Sequence, residues 1–169
     1  MLLKNYATAK KTFWSMNSSS TQTLYFTPNI KLLDGTNRAS ATYAAYNNGE
    51  DQRAVSLRYD TSFRIGTGTT AVTADDYNLE NDVTDSFTQQ SYQLSQMVTN
   101  DGKFETAFKF SGVNNSGNSI TITEVGIRKY HHQNNSGNQF TYLIFRDLLP
   151  TPITVEAGQS INLIVKIAE

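Results

Sequence analysis

The chain has no cysteine in 169 residues, which excludes disulfide bridges, thiolate metal sites and a cysteine nucleophile. Histidine is almost as scarce: the only two are His131 and His132, side by side. Neighbouring strand residues point to opposite faces, so this pair does not easily meet at one metal ion or one scissile bond. A Ser-His-Asp arrangement would have to rest on one of them, beside an Asn-rich loop, and a metal site would need one histidine from each copy of a trimer. The plainer reading is a polar loop flank. No stretch approaches the roughly 20 apolar residues that span a membrane. The first ten residues hold only Leu2-Leu3 ahead of Lys4, too little for the apolar core of a signal peptide. These features read as a protein soluble where it is made.

Strong charge of either sign is also missing. A formal net charge of −1 gives no case for a basic nucleic-acid binder. The distribution is more informative than the sum. Lys4, Lys10, Lys11 and Lys31 precede the first acid, Asp34, whereas Asp75, Asp76, Glu80, Asp82, Asp85 and Asp101 lie between Arg64 and Lys103 with no basic residue among them. Such a chain can attract its own copies head to tail, or dock a basic arm on an acidic partner; a solvated surface explains the same pattern more simply.

What is plentiful is aromatic residues, nine Tyr and nine Phe, with few Pro and Gly, a composition that favours strands. Residues 1–20 read as an N-terminal arm, in which Phe13 and Trp14 stand among Lys10, Lys11 and the run Asn17-Ser-Ser-Ser20. Residues 21–169 read as a single domain. Pro28 interrupts an edge strand that ends at the turn Asp34-Gly35. Thr36 to Asp51 is polar, with Tyr43 and Tyr46 its only large side chains, and reads as a long excursion or short helix and as a contact loop.

Alternation then sets in. Val55, Leu57 and Tyr59 share one face, and Phe63 and Ile65 continue it. Thr73 and Asp76 have capping-box spacing, which predicts a short helical turn through about Asn81. Tyr92, Leu94 and Val98 form an apolar face before Asp101-Gly102, and Phe104, Phe108 and Phe110 form one after it, which predicts a hairpin. Asn114-Asn-Ser-Gly-Asn118 and Asn134-Asn-Ser-Gly-Asn138 are identical pentapeptides, expected to be similar turns at one end of a meander. Between them the apolar parity switches from Ile120 and Ile122 to Val125 and Ile127. A β-bulge near Thr123-Glu124 would keep Glu124 out of the core; the alternative is a buried Glu124 paired with Arg128 or Arg146. Ile161, Leu163, Val165 and Ile167 alternate with Asn162 and Lys166, giving a last strand with one buried face. The sum is an all-β fold, an antiparallel β-sandwich of jelly-roll type with an N-terminal arm and one short helical turn.

Motifs for chemistry are thin. Gly66-Thr-Gly-Thr-Thr-Ala71 lacks the Gly-Lys-Ser/Thr ending of a phosphate loop and the third glycine of a dinucleotide fingerprint. Asp76, Asn78, Glu80 and Asp82 alternate like calcium ligands, but Asn81 replaces the sharp-turn glycine and Phe87 the terminal glutamate. Asp60, Asp75, Glu105 and Glu124 could in principle supply a glycosidase pair, though nothing in the sequence joins any two. Trp14, Tyr25, Tyr43, Tyr46 and Tyr130 could stack on a sugar; core and interface packing explain them more simply. No cofactor is expected.

The order of segments Ile65-Gly-Thr-Gly-Thr-Thr-Ala-Val-Thr-Ala-Asp-Asp-Tyr-Asn-Leu79, a hairpin, Ile122-Thr-Glu-Val-Gly-Ile127, Leu143 to Arg146 and Pro152-Ile-Thr-Val-Glu-Ala-Gly158 resembles that of small structural proteins of tailed bacteriophage virions. The resemblance covers about residues 60–167 and rests on turn and strand motifs. It implies a noncatalytic β-sandwich subunit, made in the bacterial cytoplasm and assembled in several copies on the virion, as a capsid decoration or head-fibre protein or as a tail or collar component. Its partners would be its own copies and other virion proteins, through Lys10, Lys11, Phe13, Trp14, Tyr43 and Tyr46. On this reading, deleting residues 1–20 would abolish assembly and leave the fold. The rival is a carbohydrate-binding module for host-surface glycans.

Overall fold

The computed structural model describes residues 1, 3–4, 22–43, 61–98, 104–132 and 139–168. Among them run eight strands: β1 (Gln22–Lys31), β2 (Asn37–Tyr43), β3 (Thr61–Gly66), β4 (Phe87–Val98), β5 (Phe104–Asn114), β6 (Ile120–His132), β7 (Gln139–Val155) and β8 (Ser160–Ala168). The fold is all-β, with β1 and β2 forming a two-stranded sheet and two three-stranded sheets in the orders β3-β6-β7 and β4-β5-β8. The pairs β1-β2, β4-β5 and β5-β8 are antiparallel. The chain forms two compact units: one of residues 1–62, 71–78 and 126–147, the other of residues 63–70, 79–125 and 148–169.

In the first unit, β1 and β2 make a hairpin around Asp34-Gly35. Gly35 has φ 83°, a left-handed conformation that costs glycine little, and Asp34 Oδ1 accepts the Thr36 amide at 2.8 Å and its hydroxyl at 2.7 Å. Those bonds hold the Asp34 carboxyl below its ordinary pKa. The register shifts between Tyr25 and Ile30, around Pro28, as an interrupted strand should. The excursion expected from Thr36 to Asp51 is therefore corrected over its first half: Asn37–Tyr43 is strand, because the tight turn folds this polar segment back onto β1. Leu3, Ile30, Ile127, Phe140, Tyr142, Leu143, Ile144 and Phe145 are buried in this unit.

In the second unit, β4 and β5 pair from Val98↔Phe104 to Phe87↔Asn114, as the Asp101-Gly102 signal predicted; the connecting residues 99–103 lie outside the described set. In this register Tyr92 is paired with Phe110 and Leu94 with Phe108. The Phe63 ring of β3 stacks on Phe110 of β5 at 5.7 Å between centroids, and Phe87 meets Phe110 edge-on at 6.4 Å. On β8, Ile161, Leu163 and Ile167 are buried and Asn162, Ile164 and Lys166 exposed, the expected one-sided strand.

Two further expectations need correction. Thr73 to Asn81 forms a turn and no helix; the 3₁₀ turn is at Thr84–Ser86. The Asp76 carboxylate does reach back to the Thr73 amide at 3.1 Å, the reciprocal half of a capping box, but Asp76 N–H bonds the Thr73 carbonyl at 3.3 Å and no helical turn propagates. The first Asn-rich pentapeptide is also not a meander turn, since it joins β5 to β6 and these belong to different sheets. Asn114, still paired with Phe87 at the end of β5, braces this connection with side-chain bonds: its Nδ2 donates to the carbonyls of Asn118 and Val155, both at 2.8 Å, and its Oδ1 accepts the Ser116 amide at 3.0 Å. The second pentapeptide lies outside the described residues.

Candidate functional site

The most organised polar cluster sits where β3 runs out at Gly66. The segment from Asn81 to Thr84 lies along β3 like an irregular strand: Thr67 N–H bonds the Asn81 carbonyl at 3.0 Å, Val83 N–H bonds the Ile65 carbonyl at 3.0 Å, and Ile65 N–H bonds Thr84 Oγ1 at 2.8 Å. Into the loop between them projects Glu124 from the middle of β6. Its side chain is fully buried. Oε1 accepts the Gly68 amide at 3.0 Å and the Asn81 amide at 2.9 Å, while Oε2 accepts the Glu80 amide at 3.2 Å. The neighbouring Thr123 hydroxyl donates to the Gly68 carbonyl at 2.7 Å.

Glu124 is thus the main correction to the sequence reading. The bulge expected to turn it outward is corrected and the alternative of a buried Glu124 holds, with backbone amides of Gly68, Glu80 and Asn81 among its partners. Burial of this carboxylate is sustainable because three main-chain donors replace its water shell. Both parities of β6 are buried here, Ile122 and Glu124 on one and Val125 and Ile127 on the other, so the switch in apolar parity is met by covering both faces of the strand. Arg128 donates to Asn78 Oδ1 at 3.0 Å and Arg146 to Asp76 Oδ2 at 2.7 Å.

A second carboxylate repeats the device. Glu80 Oε2 accepts the consecutive amides of Thr69 and Thr70, each at 2.8 Å. Consecutive amides converging on one oxygen are the arrangement by which Gly-rich loops hold phosphate. The likeness of Gly66-Thr-Gly-Thr-Thr-Ala71 to an anion-binding loop is therefore genuine at the level of the backbone, and the anions are the protein's own carboxylates. Glycine is required by space: a Cβ at Gly66 would run into Glu124 Oε1 and stand 2.7 Å from the Asn81 carbonyl oxygen, and one at Gly68 would stand 2.5 Å from Glu124 Oε1 and 2.7 Å from Glu80 Oε2. Beside it, Arg64 bridges Asp82 at 2.9 Å and Asp85 at 3.2 Å. Burial pushes the Asp82 carboxyl up, but Arg64 and the amide and hydroxyl of Thr84 outweigh it and hold the group below its ordinary value.

In the other unit, the start of the chain and the turn after Thr70 are tied to β7. Leu3, buried, donates its N–H to the Ile144 carbonyl at 2.9 Å, and Lys4 N–H bonds the Ala74 carbonyl at 3.0 Å. Arg146, itself buried, ends β7's contact on Asp76, which also accepts the Thr73 hydroxyl at 2.7 Å. Burial raises the Asp76 pKa, and the hydrogen bonds from Arg146 and Thr73 reverse it to a net lowering.

The four oxygen ligands suggested for calcium serve separate partners: Asp76 binds Arg146, Asn78 binds Arg128, Glu80 binds Thr69 and Thr70, and Asp82 binds Arg64. No group of three or more acidic or histidine side chains among the described residues could hold a metal ion. Of the carboxylates considered for hydrolysis, Asp75 pairs with Lys4 at 2.7 Å, Glu105 with Lys166 at 3.1 Å, and Glu124 is enclosed by amides; Asp60 lies outside the described residues. Lys10, Lys11, Phe13, Trp14 and Tyr46 lie outside them as well. Tyr43 is the last residue of β2, opposite Gln22, and His131 and His132 close β6. The sequence reading takes Glu80 only as a calcium ligand and misses its role as acceptor of the Thr69 and Thr70 amides, though an acid following a Gly-x-Gly loop that has no lysine is the available signal. Comparison with protein-family models, with curated proteins and with solved structures gives no match.

Proposed function

We propose that the chain is a noncatalytic structural subunit of a tailed-phage virion, assembled in several copies through protein-protein contacts, on the capsid surface as a decoration or head-fibre protein or else in the tail or collar. The observation that carries this reading is the expenditure of acidic side chains on shape. Glu80 and Glu124 hold loop amides and Asp82 holds Arg64 and Thr84, so the groups best suited to chemistry are engaged in fixing the backbone. Two of the segments that carry the resemblance, Ile65 to Thr70 and Ile122 to Val125, meet around Glu124, which makes the shared motif order a structural device. The stacking of Phe63 on Phe110 brings side chains of both three-stranded sheets into one core, in keeping with a jelly-roll-like sandwich.

The test is a mass-spectrometric count of this chain in purified particles. Hundreds of copies per particle place it on the capsid, and about a dozen or fewer in the tail or collar, since copy number follows the symmetry of the site. Absence of the chain from the particles overturns the proposal.

A further inference from the structure

Two of the chain's three prolines, Pro150 and Pro152, fall in one strand, β7, two residues apart. β7 is the last strand of the β3-β6-β7 sheet, so one of its edges meets β6 and the other meets no named strand among the described residues. The phase of that outer edge is fixed by the start of the chain. The Met1 nitrogen donates to the Arg146 carbonyl at 2.7 Å, Arg146 N–H donates to the Met1 carbonyl at 3.2 Å, and Leu3 N–H donates to the Ile144 carbonyl at 2.9 Å, so Ile144 and Arg146 turn away from β6. In an antiparallel ladder alternate residues face the same neighbour, which turns Leu148, Pro150, Pro152 and Thr154 outward as well. The prolines agree with that phase, since a strand admits proline only where its missing N–H would have met no partner. Two successive outward positions of β7 thus offer a carbonyl and no donor.

The surrounding residues give this a reason. Between Asp147 and Glu156 the chain reads Leu-Leu-Pro-Thr-Pro-Ile-Thr-Val, without a charge. Every residue from Pro150 to Thr154 is exposed, Ile153 by 37%. Take the prolines away and what remains is an uncharged, solvent-facing run of leucine and β-branched residues on a sheet edge, the composition that stacks strand on strand into cross-β assemblies. Flanking charges of one sign are the other common protection of such a run, and Asp147 and Glu156 supply them.

From this geometry we infer that Pro150 and Pro152 are edge guards: by withholding two outward N–H groups they keep the exposed end of β7 from taking up a further strand, whether from another copy of the chain or from any other polypeptide. The guard acts on the edge and leaves the pairing with β6 intact, because the prolines stand at the positions that β6 does not use. The inference is independent of the virion reading. Where copies of the chain do assemble, it excludes this edge of β7 from the contacts that join them.

The test restores the donors in two ways. Pro150→Thr with Pro152→Thr returns both N–H groups and completes the β-prone run, whereas Pro150→Lys with Pro152→Lys returns the same groups but sets two charges on the edge. Both prolines are exposed, so either replacement points its side chain into solvent. The double threonine variant of the full chain is expected to self-associate at least about tenfold more tightly than the parent in sedimentation equilibrium and to bind thioflavin T, while the double lysine variant matches the parent in both. Pro152→Thr alone, which keeps Pro150, shifts the same two readouts in the same direction by less, and it carries the test if circular dichroism shows that the double threonine variant does not fold. Equal behaviour of the threonine and lysine variants overturns the inference. If both associate, the prolines serve the shape of the backbone; if neither does, the edge needs no guard. The copy count in particles is untouched by either result and judges the virion reading separately.

Discussion

Glu124 Oε1 accepts the Gly68 amide at 3.0 Å, and the hydrogen that glycine carries in place of a Cβ is what lets the carboxylate approach. A methyl group there would stand 2.5 Å from the same oxygen and 2.5 Å from Glu80 Cβ. The loop is thus held by a buried charge that only a glycine backbone admits.

Gly68→Ala is accordingly expected to destabilise the chain by about 1–3 kcal/mol, the usual cost of forcing atoms into a filled site. Gly117→Ala provides the contrast. It has φ 79° but nothing within 4 Å of the added Cβ, so it incurs backbone strain alone, about 1 kcal/mol. Urea unfolding midpoints of the two variants separate crowding from conformation; equal losses would refute the crowding argument.

Glu124→Gln keeps the shape and removes the charge. One acceptor oxygen remains for the amides of Gly68, Glu80 and Asn81, and a new NH2 group points at donors. The expected loss is about 2–4 kcal/mol, from buried donors left unpaired and charge-assisted bonds replaced by neutral ones. Hydrogen exchange locates it: the amides of Gly68 and Asn81 should lose protection first, before those of β5 and β8. Unchanged protection at both amides would mean that the carboxylate is not what holds the loop.

How much of this could be read from residue order depends on what each residue answers to. The β8 alternation, the β4-β5 hairpin and the Asp34-Gly35 turn are local patterns, and they are legible because side-chain parity and turn chemistry are decided within a few residues. For Glu124 the sequence leaves burial as one of two alternatives and cannot name its amide partners, because Gly68 and Asn81 lie 56 and 43 residues away and contribute main-chain N–H groups, which no side-chain pattern reveals. The same holds for Asn114, whose bond to the Val155 carbonyl spans 41 residues. Its identity with Asn134 in a repeated pentapeptide suggested a simple turn. At the root of the arm Leu3 is buried and bonded to Ile144, so deleting residues 1–20 would remove a core residue along with the proposed contacts. Substituting Phe13, Trp14, Lys10 and Lys11 with alanine is the cleaner probe of assembly.

Acid should loosen the chain through Asp76 and Asp82. Both carboxyls titrate below their ordinary value of 3.8 in the folded protein. The folded state therefore binds these protons more weakly than the unfolded state, so the stabilisation is complete above the unfolded pKa and is lost as pH falls through the folded one. Urea midpoints should be level from about pH 7 to about pH 5 and decline below about pH 4. Asp82→Asn should flatten the decline; a slope as steep as the parent's would exclude Asp82 as a source.

Arg146 and Asp76 form a buried ion pair, with side chains 4% and 17% exposed and an N–O distance of 2.7 Å. An arginine so placed is tolerable only while its charge is matched, and removing one partner from a buried pair typically costs about 3–5 kcal/mol. Asp76→Ala is expected near the lower end, because the Thr73 hydroxyl and amide that it accepts sit at the exposed rim and can turn to water. Arg146→Met, of similar volume, should cost less than Asp76→Ala, since it takes the buried charge away with the side chain and leaves the carboxylate where solvent reaches it. The double variant should then be no worse than Asp76→Ala alone, a coupling of about 1–3 kcal/mol in the cycle. For a domain of this size each kcal/mol moves the melting temperature by about 2–4 °C, so calorimetry resolves the ordering. Additive losses in the double variant would show that Arg146 stabilises the turn through its packing and that its charge is incidental.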